Sequence, residues 1–193
     1  MIPKLPHRAS RPEPVDPLGE KEARQRYIAR SIWLTVPGTP ILIGALYHFM
    51  PPLGGVGTLA ERLALTLRWI FVAMLPFAAV CLTILARRYF EGAHNPLLAQ
   101  ESETLRIHCR VMDNTLEQFV WLAVCLLALA TLLEPAQMRL VPIVSTFFVA
   151  ARLVYWRGYL RAGTLGRAPG VQLTFSLNLS LLLLVAILLA GVA

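Results

Sequence analysis

Five long apolar runs, with nearly all the cations on one side of them, restrict this chain to very few folds. The runs span about Ser31 to Met50, Leu63 to Ala86, Phe119 to Leu133, Leu140 to Tyr159 and Val171 to Ala193. The third run has a polar helical extension back to about Glu103. A helix needs roughly 20 apolar residues to cross the hydrocarbon of a bilayer. The first, second and fifth runs satisfy this alone. The third and fourth do so only if their polar ends enter the interface or a protein-lined cavity. Charged residues make up 15% of the chain, where a soluble domain of this size carries about a quarter. The apolar residues, 56% of the total, are gathered into runs and not set at amphipathic spacing. The expected fold is all-α, an integral membrane helical bundle.

Topology follows from the cations, sixteen of eighteen of which are arginine. Seven precede the first run, from Lys4 to Arg30. Arg87, Arg88, Arg106 and Arg110 follow the second, and Arg152, Arg157, Arg161 and Arg167 close the fourth. Only Arg62, Arg68 and Arg139 fall opposite. Five spans place fifteen cations on one face and three on the other. The expectation is an N-terminus in the cytoplasm and a C-terminus outside. A bacterial inner membrane is the expected location. Residues 1–29 read as a disordered or loosely packed cytoplasmic tail.

Several classes fall away. The net charge of +7 flanks apolar runs and forms no basic stripe among exposed aromatics, so nucleic-acid binding is excluded. Cys81, Cys109 and Cys125 show no paired framework and no CxxC, which argues against both a disulfide scaffold and a zinc site. His7, His48, His94 and His108 are scattered, with no plausible metal face.

Two polar clusters stand out at helix ends. Arg110, Asn114 and Glu117 lie at i, i+4 and i+7 and form one stripe at the start of the third span. An arginine there can hold a carboxylate through its planar fork, while Asn and Glu engage amide or ammonium groups. Alternatively, Arg110 pairs with Asp113 or Glu117 and anchors the helix. Arg152, Tyr155 and Tyr159 lie on the fourth span. An aromatic belt accounts for the tyrosines, but not for Arg152, which lies some two turns deeper than Arg161. Pairing of Arg152 with Glu117 on the neighbouring antiparallel helix is the economical expectation. Gln172, Ser176 and Ser180 form a further small polar stripe, expected to face neighbouring helices.

These patterns resemble the MAPEG family, membrane-associated proteins of eicosanoid and glutathione metabolism. Ala86-Arg87-Arg88 is similar to the arginine pair ending that family's first helix. Arg110-x-x-x-Asn114-x-x-Glu117 is similar to its second-helix signature. Arg152-x-x-Tyr155-x-x-Gly158-Tyr159, with Arg167-Ala168-Pro169, is similar to its third helix and following loop. The departures are Asp113 before the motif Asn, Arg167 displaced by one residue, and Arg106-Ile107 where the family has Glu-Arg. The span before residue 63 and the stretches Ala151 to Trp156 and Leu173-Thr174-Phe175 resemble the mattrin-like branch.

The resemblance implies a four-helix membrane domain over 63–193, with an additional transmembrane helix at 30–50. It implies a homotrimer among membrane lipids, with glutathione held between subunits at the cytoplasmic end. Carried over residue by residue, it puts Arg110, Asn114, Glu117, Arg152, Tyr155 and Tyr159 on the tripeptide. Arg88 and Arg167 become the catalytic candidates, because a nearby cation favours the thiolate. The implied activity is a glutathione transferase or peroxidase acting on a lipophilic small-molecule substrate. The alternative is a non-catalytic scaffold or regulator that kept the fold.

Overall fold

The computed structural model describes residues 17–92 and 101–192. Every regular element among them is helical: α1 (Pro17–Phe49), α2 (Leu59–Glu91), α3 (Glu103–Leu132), a 3₁₀ turn at Pro135–Gln137, and α4 (Leu140–Val192). Four of these helices are long and apolar enough to cross a membrane.

Local chemistry sets the helix ends. Thr58 caps α2 in a reciprocal box with Glu61: the threonine hydroxyl accepts from the Glu61 amide, and the carboxylate accepts from the Thr58 amide at 2.9 Å. Gly92 ends α2 with φ 68°, a conformation open to glycine at no Cβ penalty. The Ser102 hydroxyl caps α3 by accepting from the Leu105 amide. This confirms the expected start of that helix at Glu103, well before its apolar part.

The N-terminus departs from expectation. The helix begins at Pro17, not near Ser31, so residues 17–29 of the expected loose tail are helical. The first sixteen residues of that tail lie outside the described residues. Residues 20–25, Glu, Lys, Glu, Ala, Arg and Gln, are strong helix formers, and proline is favoured at the first helical position.

At 53 residues, α4 would be about 80 Å long as a straight rod, far beyond a ~30 Å hydrocarbon core. It is not straight. Ala162 and Gly163 leave helical geometry, and Gly163 takes φ 54°, ψ −135°, a region essentially reserved for glycine. The chain folds back into two antiparallel arms, 140–161 and 164–192. The expected loop from Leu160 to Gly170 is therefore almost entirely helix, reduced to a two-residue break. Glycine lets the arms touch. A Cβ on Gly158 would lie 2.0 Å from the Gly166 carbonyl oxygen, and one on Gly170 would lie 2.4 Å from the Tyr155 backbone. Lipid tails offer no hydrophobic gain for helix association, so such close backbone approach is what holds helices together in a bilayer.

The arms pack against α3, with Leu122, Leu126 and Leu129 meeting Val144, Phe148 and Leu177 in one core. The helix α2 covers α3 and α4, while α1 lies on α4. Prolines 37 and 40 sit inside α1. Pro40 has no N–H for the Val36 carbonyl four residues back. Ser176 of the second arm supplies the missing donor at 2.8 Å. Two of the three minority arginines have structural partners. Arg62 donates to the Leu133 carbonyl, and Arg139 donates to the Met50 carbonyl while lying 4.1 Å from the Tyr47 ring centroid. These carbonyls belong to helix ends, where cations are favoured.

Gly158→Ala and Gly170→Ala should each destabilise the purified protein by ~2 kcal/mol or more through overpacking. Gly44, which has no atom within 4 Å of a built Cβ, should tolerate alanine without loss. Thermal midpoints in detergent check both expectations.

Candidate functional site

Arg152 lies about 15 Å along the helix from the break in α4, inside a segment long and apolar enough to cross a membrane. It is 1% exposed. Removing a guanidinium from water costs several kcal/mol unless its donors are met. Here neutral oxygens meet those of its two terminal nitrogens. Nη1 donates to Asn114 Oδ1 at 3.1 Å and to Thr174 Oγ1 at 3.3 Å. Nη2 donates to Asn114 Oδ1 at 3.1 Å and to Thr115 Oγ1 at 2.8 Å. The Tyr155 ring lies 4.0 Å away as a cation–π partner. Arg152 Nε is buried with no partner.

The acceptors are oriented by their own helices. The Thr115 hydroxyl donates to the Val111 carbonyl at 2.6 Å, and Thr174 donates to the Gly170 carbonyl at 3.0 Å. Each hydroxyl has one proton. Directing it at the backbone leaves only lone pairs for the arginine. Asn114 is fixed in the same way. Its carbonyl oxygen accepts from Arg152, and its amide nitrogen donates to Glu117 Oε2 at 3.4 Å. The cluster thus joins α3 to both arms of α4.

The expected direct pair of Arg152 with Glu117 is not what forms. Asn114 stands between them, and Glu117 remains exposed. The physical reason is reach: Asn114 and Thr115 lie on the buried edge of α3, whereas Glu117 lies on its exposed edge. Arg110 is also exposed. Among the described residues its expected pairing with Asp113 or Glu117 does not form; the only ion pairs there are Arg87–Glu91 at 3.3 Å and Arg88–Glu101 at 2.9 Å.

The remaining candidates divide into two groups. Tyr155 and Tyr159 pack with ring centroids 6.0 Å apart, and the Arg167 guanidinium lies 4.9 Å from the Tyr159 ring. The Tyr155 hydroxyl is buried without a hydrogen-bond partner. Arg167 and Asn114 line one groove of about 360 Å³. These five side chains, counting Arg152, form a continuous set of contacts. Arg88 stands apart, tied to Glu101 at the start of α3.

Sequence reasoning gave Thr115 and Thr174 no part in the site. It also missed His108, whose Nδ1 accepts from the Trp156 indole at 3.0 Å across the α3–α4 seam. Gln118 and Asn178 form a second buried polar bridge at 3.0 Å. The one available signal was spacing: Gln118 lies about one turn beyond the adjacent pair Asn114 and Thr115, on the same side of the helix.

Replacing Asn114 by Leu strips Arg152 of an acceptor shared by both its terminal nitrogens. It should cost ~3 kcal/mol, because the buried charge is left short of partners. Arg110→Ala, on an exposed face, should stay within ~0.5 kcal/mol. Detergent unfolding curves on the two variants separate these outcomes.

Residues 63–187 match the MAPEG family. The matched segment begins in α2 and contains the whole Arg152 cluster, while α1 lies outside it. Neither the comparison with curated proteins nor that with solved structures gave a match. The family match covers well over half of the chain and accounts for its multi-pass helical membrane architecture: the chain belongs to the MAPEG family.

Proposed function

We propose that this protein is a glutathione-dependent membrane enzyme acting on lipophilic electrophiles or peroxides. In this reading α1 is an addition to a family domain over 63–193, as in the mattrin-like branch. The working unit is a homotrimer with its N-terminus in the cytoplasm and its C-terminus outside. Glutathione sits between subunits at the cytoplasmic end.

The observation that carries the reading is the set of cations without carboxylate partners. Among the described residues, Arg110, Arg152 and Arg167 form no ion pair. In a low-dielectric setting, positive charge left without a counter-ion favours an anionic ligand. Arg167 is half-buried beside Asn114 in the groove and can take a carboxylate or stabilise a sulfur anion. Asn114 is already held by Arg152, so its amide is preorganised to meet a peptide group. Exposed Arg110 and Glu117 would engage the peptide's charged ends from the α3 face. Arg152 itself is too deeply enclosed to touch the tripeptide; its role is to orient Asn114. The Arg88 guanidinium already faces Glu101, which favours Arg167 over Arg88 as the thiolate partner.

Bound glutathione would supply a thiol that attacks the electrophile as thiolate, forming a C–S bond while the leaving group departs. A lipophilic substrate reaches such a site sideways, through the lipid-facing surface.

A second reading is a MAPEG-fold scaffold or regulator without catalysis. The enclosure of Arg152 favours it, since its four hydrogen bonds go to protein groups and explain its burial without a ligand. Calorimetric titration of the detergent-purified chain with glutathione separates the two. Millimolar or tighter binding, weakened about tenfold (~1.4 kcal/mol) in Arg167→Gln and in Arg110→Ala, supports the enzyme. No binding at millimolar glutathione ends that reading. Thiol-dependent turnover present in the wild type and lost in Arg110→Ala excludes the scaffold.

A further inference from the structure

Helix α1, which the family match leaves out, walls two spaces. It gives Ile28 and Ile32 to the groove of Asn114 and Arg167. Further along, at the opposite end of the bundle from Arg167, it encloses a cavity of about 320 Å³ against the second arm of α4 and the α3–α4 hairpin. Ligand pockets usually begin near ~300 Å³.

The residues of α1 make this room. Pro37-Gly38-Thr39-Pro40 and Gly44 carry little side-chain bulk where the helix passes the arm. Exposed Pro40 and Gly44 form the mouth, and nothing lies within 4 Å of a Cβ built on Gly44. Buried Ile43, Leu177 and Leu181 form the floor. The gap persists because polar bonds fix α1 on the arm. Gln172 accepts from the Ser31 and Thr35 hydroxyls, and Ser176 donates to the Val36 carbonyl. In hydrocarbon no water competes for these groups.

About one turn beyond these contacts, the same register brings Thr39 and Ser180 to one level of the cavity. Thr39 is buried, and its hydroxyl proton goes to the Thr35 carbonyl at 2.8 Å, so only lone pairs remain. Ser180 is half-buried in the lining and forms no hydrogen bond among the described residues. A hydroxyl without a partner in hydrocarbon is costly. Headgroups do not reach it. Thr39 lies about 15 Å along α1 from its end at Phe49, which is half of a ~30 Å hydrocarbon core. None of the described residues in the lining is charged. The charged groups at the rim stand outside it: Arg62 and Arg139 donate to the Leu133 and Met50 carbonyls, and Glu134 is exposed.

We infer that this cavity binds a compact uncharged lipophile, an alcohol or ketone, with its oxygen between Ser180 and Thr39 and its hydrocarbon part against Ile43, Leu177 and Leu181. Ser180 donates to that oxygen, and Thr39 accepts from it when it is a hydroxyl. A carboxylate or ammonium is rejected, because nothing in the lining would pair with its charge. An acyl chain of the bilayer carries no oxygen at this depth and leaves Ser180 unpaired. The site is separate from the one proposed for glutathione: Ser180 lies about 9 Å along the helix beyond Thr174.

The test uses the full chain in phosphatidylcholine nanodiscs, with benzophenone as photoprobe and mass-spectrometric mapping of the adducts. Saturable labelling should concentrate on residues 39–47 and 177–184. Diphenylmethanol and fluorenone should compete. Diphenylmethane, which lacks the oxygen, and 4-benzoylbenzoate, which adds a charge, should not. Gly44→Leu, which fills the mouth, should cut labelling about tenfold, and Ser180→Ala about fivefold. Thr39→Val should weaken competition by diphenylmethanol while leaving benzophenone labelling in place, since a ketone donates nothing to Thr39. Circular dichroism and thermal midpoints of the variants should match the wild type, and the competition series needs no variant at all. The inference is overturned by labelling spread evenly over the lipid-facing surface. Equal competition by diphenylmethane, or unchanged labelling in folded Gly44→Leu or Ser180→Ala, overturns it as well. Because the readout contains no thiol, it can fail while glutathione binding succeeds, and the reverse.

Discussion

A guanidinium buried at membrane depth with no carboxylate beside it is the constraint around which this bundle is arranged. Arg152 cannot shed its charge, and it cannot reach water from its position between α3 and the two arms of α4. It is stabilised by three neutral acceptors from two helical segments and by the face of Tyr155. Each acceptor must come from a defined register: Asn114 and Thr115 from adjacent positions on α3, and Thr174 from the second arm. Shifting any of these helices by one turn would strand the charge. The arginine therefore acts as a register pin between helices that lipid alone would leave free to slide. The same arrangement holds Asn114 beside Arg167 in one groove, which links the packing of the bundle to its proposed ligand.

The hairpin in α4 makes that arrangement reachable. Thr174 can approach Arg152 only because Gly158, Gly166 and Gly170 let the arms come into backbone contact. The break at Ala162 and Gly163 sets the length of each arm. Helix α1 then adds a layer whose attachment is polar, through Gln172 and Ser176. The proline that weakens α1 also creates the acceptor that ties it down. This helix lies beyond the family match yet forms part of the groove wall, so the added segment bears on the site and does not merely flank it.

The sequence carried most of the fold and less of the site. Apolar runs and the one-sided arginines marked the spans, because both signals depend only on transfer into lipid. The α3 extension to Glu103 was visible in its capping residue and polar periodicity. The α4 turn is hard to place from sequence, because the apolar runs end at Tyr159 and resume at Val171 and Ala168-Pro169-Gly170 between them has the composition of a breaker. Gly170 is instead there for contact with Tyr155, and the real break lies at Ala162 and Gly163, where Gly163 takes a positive φ. The start of α1 was obscured by its polarity, although its residues are strong helix formers. Arg152 was identified as anomalous from depth alone, but its partners were not. A threonine in an apolar run gives no sign of where its lone pairs point. Choosing between Asn114 and Glu117 required the rotation of α3 about its axis, which one sequence does not supply.

The most direct measurement is a double-mutant cycle between Arg152 and Asn114, read as unfolding free energy in detergent for Arg152→Met, Asn114→Leu and the double variant. A buried arginine that depends on this amide predicts a coupling of ~1–3 kcal/mol, with the double variant more stable than the sum of the single losses implies. Strict additivity would contradict the account, since it would mean that the charge is satisfied elsewhere and that neither the packing nor the groove depends on the contact.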